Sequence, residues 1–194
     1  MEITEVYDTG LRTFGENYVQ ELVQKEEQLP ADIEWNFIGH LQSNKVKMIA
    51  PFVSLVQSVD SLKLLTSLND AGEKAGRVLS CLLQIHIATE ETKFGLSFDE
   101  VKQILDDPLF AKMKFVSVKG LMGMATATDD HEKIRMEFRG LRNFFDQIKS
   151  KQSSSLPDFK ILSMGMTSDY KAALEEGSNM VRIGSAIFGE RTRA

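Results

Sequence analysis

Two hydrophobic rhythms alternate along the chain. Val19, Leu22 and Val23 recur on one stripe within residues 18–28, the spacing of an amphipathic helix. Residues 77–87 instead hold a nearly continuous apolar run, as a strand buried on both faces does. Read this way throughout, the sequence predicts helices over 2–9, 18–28, 44–50, 60–75, 98–105, 129–149 and 169–176. It predicts strands over 12–14, 35–38, 52–56, 77–87, 115–122, 159–162 and 180–183. The boundaries have local causes: Asp60 is a capping residue type, Asp107-Pro108 closes a helix, and Gly177 stops another.

Strict alternation of strand and helix predicts a parallel sheet with helices outside it. A doubly wound open sheet would place a Gly-x-Gly-x-x-Gly turn after a strand, and none occurs here. The expectation is therefore a TIM-type (β/α)8 barrel, a single α/β domain over 1–194. Such barrels have eight strands; this pattern offers seven and begins on a helix, so the first β-strand is expected to be missing. A barrel opened in that way has two unpaired edges, a route to dimers of an otherwise monomeric protein. The serine-rich stretch 149–157 joins a helix to a strand.

Composition narrows the function. The chain of 194 residues carries a net charge of -5, which argues against a nucleic-acid backbone as main partner. No apolar run is long enough to span a bilayer, and the first residues are not signal-like. The one cysteine, Cys81, lies in an apolar run and is expected to be a buried small hydrophobe in a cytoplasmic protein. Neither the three histidines nor the acids match a metal motif, and no nucleophile–base pair is readable. His86 reads as a core residue and His131 as a solvated one. The methionines read mostly as core filler.

In a barrel, chemistry gathers where strands run into helices, and phosphate often binds at the loops after the last two strands. Here those loops carry Ser163, Gly165 and Ser168, then Gly184 and Ser185 before a short apolar turn. Glycine lets a backbone approach closely, and exposed N–H groups at a helix start bind anions. Arg182 is the sharper signal. Val181 and Ile183 flank it, so alternation turns it into the barrel if they face outward. There it either contacts a ligand or forms a structural ion pair, for example with Glu16. His40, closing its strand, either meets a ligand or caps a turn.

Five motifs give the chain a likeness to a known family. They are Phe14-Gly15-Glu16-Asn17-Tyr18-Val19-Gln20-Glu21, the run from Trp35 to Lys45, Gly120-Leu121-Met122, Leu162-Ser163-Met164-Gly165-Met166, and the run from Val181 to Gly189. In that order the chain resembles the pyridoxal phosphate homeostasis proteins. The resemblance implies a fold-type III pyridoxal phosphate fold, like the barrel domain of alanine racemase. It implies a non-catalytic protein that binds pyridoxal phosphate and delivers it to pyridoxal phosphate-dependent apoenzymes. By motif, Ser163, Gly184 and Ser185 would hold the phosphate and Arg182 would face the pyridine nitrogen. Asn17 and His40 would line the pocket, and Met166 joins the same set.

The departure lies at the start of the chain. Family members carry an early strand of the form Val-Ala-Val-Ser-Lys, whose lysine forms the Schiff base, and no residue here matches it. Lys45, Lys47 and Lys93 are expected at the ligand-facing end, and Lys93 is the amine that could form a substitute imine. Two other readings stand beside the binding protein: an alanine racemase-like enzyme, and a phosphate-binding barrel of another chemistry.

Overall fold

The computed structural model describes residues 2–89, 94–152 and 154–189. Within them seven strands run β1 (Thr13–Glu16), β2 (Glu34–Phe37), β3 (Leu55–Val59), β4 (Leu79–Ile85), β5 (Val116–Gly123), β6 (Ile161–Met166) and β7 (Met180–Arg182). The helices are α1 (Ile3–Asp8), α2 (Val19–Gln28), α3 (Val46–Ile49), α4 (Leu62–Ala75), α5 (Phe98–Asp106), α6 (His131–Lys151), α7 (Tyr170–Glu175) and α8 (Ser185–Phe188). Each strand pairs in parallel with the next in the chain, giving one sheet in the order β1 to β7. It curls into a nearly closed barrel, with residues of both edge strands, β1 and β7, facing one cavity.

The core has two layers. Between sheet and helices lies the larger apolar layer, with Leu22, Leu65, Leu68, Phe138 and Leu141 fully buried. Inside the barrel a second cluster forms a floor from Leu55, Leu82 and Met122, with Ile161 and Met180 against it. Side chains alternate along a strand, so the next inward position on each is two residues on. There the chemistry changes: Leu55 gives way to Gln57, Leu82 to Gln84, Ile161 to Ser163, and Met180 to Arg182. Gln57, Gln84 and Ser163 are buried polar residues. The barrel therefore has an apolar floor and a polar ring above it.

Several expected boundaries move, among them the β6 strand, which runs on to Met166 instead of ending at Leu162. Leu55, rather than Phe52, starts β3, because the strand pairs from Asn36↔Leu55 onward. Asp60 does not cap α4; Ser61 does, its hydroxyl accepting from Leu64 N at 3.2 Å. Asp60 Oδ2 lies instead 3.3 Å from His40 Nδ1.

Candidate functional site

Arg182 dominates the polar ring. It enters the barrel because β7 alternates, and burial lowers its pKa to about 10, the nearby Asp169 charge opposing that fall. Its guanidinium is held by three oxygens. Nη1 donates to Ser163 O at 3.2 Å and to Ser163 Oγ at 2.7 Å, and Nη2 donates to Gly123 O at 3.1 Å. A guanidinium has five donors and no acceptor, so two N–H groups remain for the cavity that Arg182 lines. The ion pair with Glu16 that the sequence allowed is not made; Glu16 pairs with Lys25 on α2.

The cavity beside Arg182 encloses about 1010 Å³ and runs between the β1 and β7 edges. Asn17 bounds it after β1, Met166 at the end of β6 with Thr167 and Ser168 beyond it, and Gly184 and Ser185 after β7. The last two loops are tied together, Gly184 N donating to Thr167 Oγ1 at 3.4 Å. Asp169 turns the β6 loop, its Oδ1 accepting from Met166 N at 2.6 Å. Gly165 is required in β6, just before that loop. Its φ is +97°, and a Cβ would stand 2.6 Å from Ala173 Cβ on α7. Around Gly184, by contrast, no atom lies within 4 Å of a Cβ position.

Of the residues singled out in the sequence, Asn17, Met166, Arg182, Gly184 and Ser185 meet around this cavity. Two stand elsewhere. Ser163 is fully buried one layer down, its hydroxyl engaged by Arg182 and donating to Gln57 Oε1 at 2.7 Å. His40 sits outside the cavity wall, beside Asp60 and stacked on Phe94 with ring centroids 4.1 Å apart. Lys93 lies outside the described residues.

Sequence reasoning missed Gln57 and Thr167. Gln57 had the signal that exposed Arg182, a polar residue inside an apolar strand, Leu55-Val56-Gln57-Ser58-Val59. Thr167 had none, since only the loop's fold turns it toward Gly184. Among the described residues no group of three His, Cys, Asp or Glu side chains could hold a metal ion. None of the described helices is long and apolar enough to cross a membrane.

The profile of the family described as "Alanine racemase, N-terminal domain" matches residues 1–192. A pyridoxal phosphate homeostasis protein of Aquifex aeolicus is 38% identical over 190 residues, covering 97% of this chain and 81% of the relative. The chain belongs to the pyridoxal phosphate homeostasis protein family. PipY of Synechococcus elongatus, solved with pyridoxal phosphate bound, superposes at a TM-score of 0.84 with 30% identity, over 96% of this chain and 86% of PipY. Alanine racemase of Clostridium difficile superposes at 0.73 with 14% identity, over 98% of this chain and 47% of that one, and shows the fold alone. For a member of this family the chemical content of the site is plain. It presents a donor-only cation, hydroxyls and glycine-bearing loops around one apolar-walled cavity.

Proposed function

We propose that this chain binds pyridoxal phosphate reversibly and holds it without turning over a substrate. The observation that carries this is Arg182, half-buried in the barrel mouth, fixed by three oxygens, and left with two donors for the cavity. The bound ligand of PipY and the naming of the curated relatives support the same cofactor.

The residues fit the group. A donor-only guanidinium suits an unprotonated ring nitrogen, which is an acceptor. The phosphate belongs to the tied loops, where Thr167, Gly184 and Ser185 line the cavity and open space lies beside Gly184. Thr167 takes the hydroxyl role first assigned to Ser163, because Ser163 is occupied below. Pyridoxal phosphate supplies an electron sink to enzymes that use it, through a protonated ring. Arg182 works against that, since a cation facing the ring nitrogen disfavours its protonation. A carrier for cofactor homeostasis needs no strong sink, and a single domain suffices for it. The cytoplasm, with pyridoxal phosphate-dependent apoenzymes as recipients, is the setting that a lone buried thiol suits.

The test is an absorbance titration of the chain with pyridoxal phosphate, alongside an assay of alanine racemisation. Saturable binding that weakens about tenfold or more in Arg182→Met, the loss of one charge-assisted hydrogen bond, is expected. Absence of saturation, or turnover of alanine, overturns the reading.

A further inference from the structure

We infer that Gln57 is a positioning residue for the cofactor ring, holding Arg182 in its orientation by fixing the Ser163 hydroxyl between them. This rests on the cofactor reading above and assigns a role to a residue on the far side of the barrel.

Proton accounting forces the arrangement. Every nitrogen of Arg182 donates and none accepts. Its Nη1 lies 2.7 Å from Ser163 Oγ, so Ser163 accepts there and its own proton must go elsewhere. Gln57 Oε1, 2.7 Å away, takes it. The Gln57 amide is thereby oriented, its oxygen toward Ser163 and its Nε2 toward Met180 Sδ at 3.3 Å. A flipped amide would aim N–H groups at Ser163 and leave the serine proton without an acceptor.

Burial removes the alternatives. Gln57 is 2% exposed and Ser163 fully buried, so water does not replace either partner. The chain of bonds ties β3, β6 and β7, and its Gln57–Ser163 link crosses the interior between strands, β3 and β6, that are not neighbours in the sheet. Arginine is long and flexible, and two backbone carbonyls alone, Ser163 O and Gly123 O, would hold its fork less firmly. Gln57 also lines the cavity, so it closes the site from below while acting on Arg182 through Ser163.

The experiment compares wild type with Gln57→Met, which conserves volume, Gln57→Leu as a second apolar variant, Gln57→Glu, Ser163→Ala, and the Gln57→Met/Ser163→Ala double. Three quantities are read: affinity for pyridoxal phosphate, the NMR shift of its isotopically labelled ring nitrogen, and exchange broadening of the Arg182 Nη signals without ligand. Gln57→Met should weaken binding about tenfold, the size of one hydrogen bond to a charged donor's partner. It should move the ring-nitrogen shift toward that of the free cofactor and broaden the Arg182 signals. Gln57→Glu keeps an acceptor for Ser163 and should restore most of the loss. The double variant should lose no more than Ser163→Ala, because both act through one hydroxyl. Unchanged affinity and shift in both apolar variants, or additive losses in the double, overturn the inference. If wild type binds no pyridoxal phosphate, the cofactor reading fails on its own. The Arg182 signals then decide the inference: unaltered in Gln57→Met, they overturn it; broadened, they uphold the hold on Arg182.

Discussion

Arg182 Nη1 donates to Ser163 Oγ at 2.7 Å, joining a half-buried guanidinium to a fully buried hydroxyl. A serine that the sequence placed at the phosphate is thus the support of the cation that lines the cavity. Replacing Ser163 with alanine should lower unfolding stability by about 1.5–3 kcal/mol, the range for a hydrogen bond to a charged group. Urea denaturation of Ser163→Ala measures it, and a change below a few tenths would mean that Arg182 finds another acceptor.

The two layers of the site are separable by ligand. Thr167→Val and Ser185→Ala should weaken pyridoxal phosphate but leave pyridoxal, which lacks the phosphate, nearly unaffected. Ser163→Ala should weaken both ligands, each by about tenfold or less, since it acts on the ring end. Parallel titrations with the two compounds check this. Equal losses for both ligands in Thr167→Val would remove that residue from the phosphate end.

Gly39 packs on the Asn17 backbone, and a Cβ there would stand 2.1 Å from Asn17 O. Gly39→Ala should cost about 1–3 kcal/mol by overpacking and displace the Asn17 loop. Gly140 in α6 is the opposite case, with no atom within 4 Å of a Cβ position. Gly140→Ala should stabilise by about 0.5–1 kcal/mol through helix propensity. Thermal melts of the two variants should move in opposite directions.

Acid should unlock α7 from α6. Glu176 accepts from Arg139 at 2.7 Å and 3.0 Å and also faces Arg135, which holds its carboxyl below the ordinary value of 4.5. A depressed folded pKa means stability present above 4.5 and lost as pH falls through that value toward the lower folded one. Lys119 holds Asp158 down in the same sense. Glu176→Gln should remove less than about 1 kcal/mol at neutral pH and flatten the acid limb of a stability–pH curve. A curve unchanged by the substitution would exclude this pair as a contributor.

Burial pushes the Cys81 thiol up to about 12, the Lys119 charge opposing only weakly. The native protein should therefore resist thiol reagents at mildly alkaline pH and release one reactive thiol on unfolding. Rapid labelling of the folded chain would show that β4 opens.

The strand–helix alternation, the parallel sheet, the buried cysteine and the inward Arg182 were all written in local patterns. Period-two and helical spacings report which face a side chain takes, and a charged residue between Val181 and Ile183 has few places to go. Five of the chosen residues, from Asn17 to Ser185, meet at the cavity because strand ends collect at one end of a barrel. What the sequence left open concerned partners far apart in the chain. Ser163 and Gln57 are 106 positions apart, and only closure of the sheet puts one hydroxyl between Gln57 and Arg182. Glu16 found Lys25 nearer by, within one strand–helix unit, and Asp60 found His40 across two adjacent strand ends. Local periodicity fixes the direction of a side chain, while hydrogen-bond partners across a barrel depend on curvature and register, which arise only when the sheet rolls up.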